Sequence, residues 1–286
     1  MVNAMSSTKG NRVPQSLPLK VGAAHPVHRL ADFRDWLFEK DRDLELQTFH
    51  APDVLDGNWR ELTDRVNAVM DGFNGRIGVH GPFWGFDICS KDPAIREVVT
   101  RRMMQGLDVC EAIGARQMVI HSPYNPWMYA NAFNHTDGDT WVFEEAHNTL
   151  RTVVDRAEQQ GVVIVIENIG DVDIDARVTL AQSFDSPSVK VSVDTGHAHL
   201  SHGTQRAYPV DYYIKAAGEL LNHVHLQDAD GWADRHWAIG EGTIRWHSVF
   251  RAIAALDSDP HLILELRDHD GIPDSMLFLQ NAGLAE

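Results

Sequence analysis

Only two cysteines, Cys89 and Cys110, occur in 286 residues, too few for a disulfide framework. That scarcity suits a reducing compartment. Cations are also short: 25 Lys and Arg stand against 41 Asp and Glu, a formal charge of −16. Such a deficit works against a polyanionic partner, because nucleic-acid binders need a basic footprint to release counterions. A phosphate ester reached through a metal ion is less disfavoured. No apolar run approaches the roughly 20 residues a membrane span needs. The stretch Met1–Pro18 is rich in Ser, Thr, Asn and Gln and lacks the apolar segment of a signal peptide. It reads as a mobile tail on a cytoplasmic protein.

What is present is a full hydrophobic complement, 43% of residues, enough to bury a core. Short apolar, β-branched runs alternate with helical patterns from Leu19 onward. Strands are expected at 19–24, 44–49, 77–80, 117–121, 162–167, 190–194, 222–227 and 262–266. Helices are expected near 29–40, 59–71, 92–113, 140–160, 175–184, 209–218, 246–256 and 273–282. Strict alternation of this kind argues for βα units and a single α/β domain, a (β/α)8 TIM barrel over residues 19–286. Asp92-Pro93 is a helix-start signal and Gly114 a stop. Cys110 falls on the apolar face of that helix with Met103, Leu107 and Ile113, which suits a core role. No internal repeat or second domain is visible.

Four of the strands deliver a metal-ligating side chain at their C-terminal ends, where barrel enzymes keep their chemistry. They are Val162–Val165 leading to Glu167, Val189–Val193 to Asp194, Leu220–Val224 to His225, and Leu262–Leu264 to Glu265. One such Glu alone is as well explained by a salt bridge on the barrel rim. Two of them with an Asp and a His point to a shared cation, since buried carboxylates without one are costly.

Further candidates surround these four. His80 and His121 end strands three and four in Val-His-Gly-Pro and Ile-His-Ser-Pro contexts. Each alone suits a hydrogen-bonded rim histidine; beside Glu167 the pair becomes a candidate ligand set. The chain is expected to turn at Gly196 and bring His197 back toward Asp194, leaving His199 and His202 at the surface. Asp234 and His236 sit two apart, so an extended backbone points both the same way. Gly240-Glu241-Gly242 makes a turn, with Glu241 toward solvent. Glu45, between Leu44 and Leu46, is placed to orient a ligand from behind. The connection Ser122–Asp139 carries Trp127, Tyr129, Phe133 and His135; its aromatics suit either a lid over a sugar face or packing on the rim.

These motifs resemble the xylose isomerase-like TIM-barrel superfamily, which holds sugar and sugar-phosphate isomerases and epimerases, inosose dehydratases and endonuclease IV-type apurinic-site endonucleases. The resemblance runs from Leu19 to the end. It implies one divalent metal on Glu167, Asp194, His225 and Glu265 if the chain is isomerase-like. It implies a multinuclear zinc cluster, adding His80, His121, His197, Asp234 and His236, if it is endonuclease-like. The acidic segment His50–Gly57 departs from the endonuclease pattern, where a DNA-inserting loop wants Arg, and nucleic acid is not the expected partner.

Two enzymatic readings follow from that resemblance. In the first, Glu167 and Glu265 shuttle a proton through a metal-stabilised enediolate, while His197, Arg235 and Trp127 hold a carbohydrate or cyclitol substrate. In the second, a metal-activated hydroxide attacks a phosphate ester. The imidazole-rich donor set suits Mn, Zn or Co, one per chain or two to three. The lack of a Lys/Arg cluster on the expected mouth leans toward an unphosphorylated polyol. A non-enzymatic scaffold is disfavoured by the intact ligand set. Exposed aromatics near Trp127 and Trp232 suit an active-site rim or a homo-oligomer contact.

Overall fold

The computed structural model describes residues 16–134 and 140–286. Eight parallel strands close into a barrel in chain order: β1 Gly22–His25, β2 Leu44–Leu46, β3 Ile77–His80, β4 Gln117–His121, β5 Val163–Glu167, β6 Val189–Asp194, β7 Leu221–Leu226 and β8 His261–Leu264. Around them lie α1 Arg34–Glu39, α2 Pro52–Asp56, α3 Trp59–Val69, α4 Pro93–Ile113, α5 Pro126–Asn131, α6 Thr140–Gln160, α7 Ala176–Ser183, α8 Thr195–Gln205, α9 Val210–Ala217, α10 Trp246–Ala254 and α11 Ile272–Asn281. The TIM barrel read from the alternation is the fold. No helix among the described residues is long and apolar enough to cross a membrane.

Strands β3 and β4 begin and end where the pattern put them. Others shift for local reasons. Strand β2 stops at Leu46 because the chain winds into a 3-10 turn over Thr48–His50. Strand β8 stops at Leu264, so Glu265 is the first residue beyond it. Eight helices underestimates the connections: α2, α5 and α8 are extra segments in the β2, β4 and β6 loops. The expected turn at Gly196 is instead the first turn of α8, and Asp194 caps it by accepting the His197 N–H at 2.6 Å. The Ser122–Asp139 connection is likewise part helix; His135–Asp139 lie outside the described residues. Of the expected tail, residues 1–15 also lie outside them, while Leu17 packs against the core.

Asp92 accepts from the Ala94 N–H to start α4, and the helix ends at Gly114 as its signals indicate. The core lies between barrel and helices: Leu44, Leu46, Ile120, Ile166, Val193, Leu226 and Leu264 are fully buried. Burying each such side chain contributes about 1.5–3 kcal/mol, which offsets an unusually polar barrel interior. That interior holds Glu45, Ser192, His223 and His225, all at 1% exposure or less. The parallel registers His121↔Glu167 and Asp194↔His225 bring side chains from neighbouring strand ends to one level.

Candidate metal centre at the barrel mouth

The four strand-end side chains converge. Glu167, Asp194, His225 and Glu265 are all buried, and each offers a ligand atom within 4.8 Å of the others. His225 is the hinge of the group. Its Nδ1 lies 2.7 Å from Glu167 Oε1 and 3.4 Å from Glu265 Oε2, and its Nε2 lies 3.0 Å from Glu45 Oε1. The Glu45 carboxylate, inward on β2 as its alternation suggested, fixes the ring so that Nδ1 faces Glu167 and Glu265. Behind it, Glu45 Oε2 meets His223 Nε2 at 3.1 Å, and His223 Nδ1 meets Ser192 Oγ at 2.8 Å.

Two further sets flank the centre. His80 Nε2 and His121 Nε2 each stand 3.7 Å from Glu167 Oε2, the carboxylate oxygen turned away from His225. His197 Nε2 lies 3.4 Å from Asp234 Oδ2, and His236 Nε2 lies 3.1 Å from Asp234 Oδ1. The Asp-x-His pair meets by a different route from the one expected. His236 is left-handed at φ 51°, so the segment bends rather than extends. Gln227 holds that bend: its Oε1 accepts the His236 N–H at 2.7 Å, and its Nε2 reaches Asp194 and Asp234. Gly196 makes room for it, since a Cβ there would sit 2.3 Å from the Gln227 amide.

The donor set fits divalent cations on two counts. First, Glu167 Oε2 is buried without any hydrogen-bond partner, although two imidazoles face it. Second, three rings have Nδ1 committed to a backbone carbonyl, each at 3.0 Å: His80 to Gly81, His197 to Asn168 and His236 to Glu265. Their Nε2 atoms therefore carry whatever bridges ring and carboxylate, a proton or a metal ion.

Electrostatics agree. Burial disfavours a charged His225, yet Glu265, Glu45 and Glu167 hold it well above the ordinary imidazole value. Burial is likewise outweighed at His197 by Asp194, Asp234 and Glu167, and at His236 by Asp234 and Glu265, which raise the latter to about 9. Burial pushes His121 down to about 3, leaving its ring neutral near pH 7. Cation loading must therefore expel protons, and affinity should climb as pH rises toward about 9. Calorimetry in two buffers of different ionisation enthalpy should show roughly one or more protons released per cation. Binding without release would show that these imidazoles hold no metal.

Two proposed substrate contacts are not drawn into this cluster. Arg235 pairs with Asp230 at 2.8 Å and lies 5.1 Å from the centre of the Trp237 ring. Trp127 is 67% exposed on α5. His199, expected at the surface, is half-buried and bonded to Thr243 Oγ1 at 2.8 Å, while His202 is exposed. Glu241 is exposed, as the turn implies. Sequence reading passed over Gln47, whose amide donates to Glu265 Oε1. It had a signal: 45 and 47 are successive same-face positions of β2 and its continuation. Asn168 was also passed over; its amide ties β5 to β6 through the Asp194 backbone at 2.9 and 3.1 Å.

Fold and site together define a (β/α)8 barrel with a carboxylate–imidazole centre at its C-terminal mouth. The chain belongs to the xylose isomerase-like TIM barrel family, whose model matches residues 42–282. Among solved structures it is similar to the TTHB071 protein of Thermus thermophilus soaked with ZnCl2, at 26% identity and TM-score 0.68, covering 92% of this chain and 97% of that one. A D-tagatose 3-epimerase-like protein matches at 19% identity and TM-score 0.70, over 92% and 96% of the two chains. A 3-keto-D-glucoside 4-epimerase from E. coli matches at 15% and 0.65, over 92% and 99%. The last two likenesses are of fold. MJ1311, an uncharacterized protein of Methanocaldococcus jannaschii, is 23% identical over 205 residues, which are 69% of this chain and 66% of that protein.

Proposed function

We propose that this chain is a divalent-metal isomerase or epimerase of a sugar or related polyol, with Glu167, Asp194, His225 and Glu265 as its principal cation site. The observation that carries this reading is the placement of two buried carboxylates on one imidazole, Glu167 and Glu265 at 2.7 and 3.4 Å from His225 Nδ1. A divalent cation bound there supplies Lewis acidity, which makes the C–H beside a substrate carbonyl acidic enough for a carboxylate base. Glu167 and Glu265 then exchange that proton, one removing it from carbon and the other returning it.

Although burial works against it, His225, His121 and His197 hold the Glu167 carboxyl well below the usual range. Burial pushes Glu265 up, against the pull of His225 and His236. A cation held by both would lower both carboxyls, and the Gln47 amide steadies Glu265 for its part in the proton exchange. His121 and His197, neither fully buried, are placed to hold substrate oxygens. Among the described residues no Lys or Arg forms an ion pair with any of these carboxylates, which favours a neutral polyol. Similar structures bearing sugar-epimerase names accord with this.

With Mn added and a panel of ketoses, aldoses and cyclitols in D2O, the protein should place deuterium on a substrate carbon. Glu265→Gln should slow that exchange by about 10²–10⁴-fold with the fold retained. Undiminished exchange in the variant removes Glu265 from proton transfer.

A second reading, a multinuclear hydrolase of phosphate esters, is favoured by the carbonyl-tied imidazoles at Glu167 Oε2 and Asp234. In that reading His80, His121 and Glu167 would hold one further cation, and His197, Asp234 and His236 another. Elemental analysis of protein purified without chelators separates the two. One cation per chain accords with isomerisation, and two or three accord with hydrolysis.

A further inference from the structure

The β3–α4 and β4–α5 connections enclose a second volume, about 410 Å³, beside the metal centre. Its walls include Phe83, Phe86, Ile88, Met103, Tyr124 and, at the inner end, His121. His121 belongs to both places: it lines this cavity and faces Glu167 Oε2 at 3.7 Å. A ligand seated on the four strand-end residues would thus lie one side chain, His121, away from this space. Phe83 reinforces the junction by stacking on the His121 ring, centroids 4.2 Å apart and planes within 19°.

The chemistry of the walls narrows what enters. Among the described residues no Lys or Arg lines the cavity. Most of its polar groups are already engaged. Ser122 Oγ donates to Asp171 and accepts the Tyr124 N–H, and Asn125 Oδ1 caps α5 through the Met128 N–H. Asp87 accepts the Cys89 N–H with one oxygen. What remains is the Asn125 Nδ2 donor and the negative edge of Asp87, set among aromatic and aliphatic surfaces. An anion placed there would meet a carboxylate and no countercharge, which disfavours its burial. A pyranose ring fits instead: its C–H face lies on apolar and aromatic walls, and its hydroxyls reach an amide donor and a carboxylate acceptor.

We infer that the substrate is a glycoside, with the reacting sugar at the cation site and a second, uncharged sugar ring in the Phe83–Phe86–Met103 cavity. This rests on the isomerase or epimerase reading for the reacting unit. The subsite itself is testable by binding alone.

The test pairs free hexoses with reducing disaccharides that carry the same reacting unit: glucose with maltose, cellobiose and lactose. With Mn present, deuterium exchange on a disaccharide should exceed that on glucose by tenfold or more in kcat/KM. Met103→Trp, which fills the cavity, should erase that advantage, and Ile88→Trp should do the same from another wall should the first variant fold poorly. Equal rates for glucose and the disaccharides overturn the inference. Should no sugar exchange deuterium, the proton-transfer reading fails, and calorimetric titration decides the subsite separately. Disaccharide binding that is lost in Met103→Trp supports it, and no disaccharide binding to the unaltered protein overturns it.

Discussion

Glu167→Gln is expected to abolish turnover, by about 10³-fold or more, and to lower the bound metal at the same time. Glu167 belongs to two candidate ligand sets: Oε1 meets His225 at 2.7 Å, while Oε2 meets His80 and His121 at 3.7 Å each. An amide offers one weaker acceptor oxygen, and its NH2 end brings a donor where a cation or a proton-bearing imidazole has to sit. Glu265→Gln disturbs only the four-ligand set, so its metal loss should be smaller. Elemental analysis and a fold check by circular dichroism on both variants give the comparison. Full turnover in Glu167→Gln would show that this carboxylate moves no proton, and metal content equal to the parent would show that it holds no cation.

Asp228→Ala is expected to be the costliest single change away from the ligands, about 3–5 kcal/mol. The Asp228 carboxylate is 1% exposed and accepts four hydrogen bonds. Ala229 N–H and Ile244 N–H reach Oδ1, and Gly240 N–H and the Trp246 indole reach Oδ2, at 2.8–3.2 Å. Together they close the loop that carries Asp234 and His236. Removing the acceptor leaves those donors unsatisfied in a buried setting, and the loop loses the tie that aims His236. Urea unfolding should show the stability loss, and metal content should fall even where the fold survives. Gly242→Ala should act the same way, because a Cβ there would lie 2.3 Å from Asp228 Oδ1 and from the Ala229 carbonyl. A loss under ~1 kcal/mol in Asp228→Ala would mean that water replaces the carboxylate and the loop stands without it.

The parts of the site that could be read in advance share one property: they follow from the period of the backbone. A strand that ends in Glu, Asp or His carries that side chain to the barrel mouth because side chains alternate and parallel strands finish on one face. That placed Glu167, Asp194, His225 and Glu265, and the same logic put Glu45 behind His225. His80 and His121 follow likewise from β3 and β4. Asp234 and His236 do meet, but not through the extended backbone that was expected, since His236 adopts φ 51°. Gln47 shares the face of Glu45 by the period of two, but its partner Glu265 lies just beyond β8, a pairing that no local pattern shows.

Linear order alone therefore determined the barrel, the carboxylates and imidazole at its strand ends and the acidic, cysteine-poor character of the chain, all consequences of local periodicity and composition. Only the folded molecule decided which ring nitrogen each histidine presents, since that depends on backbone carbonyls of other segments: Asn168 for His197 and Glu265 for His236. It likewise decided that Arg235 turns to Asp230 and that a cavity opens beside His121. Such features arise from contacts between residues far apart in the chain, and no spacing rule along it encodes them.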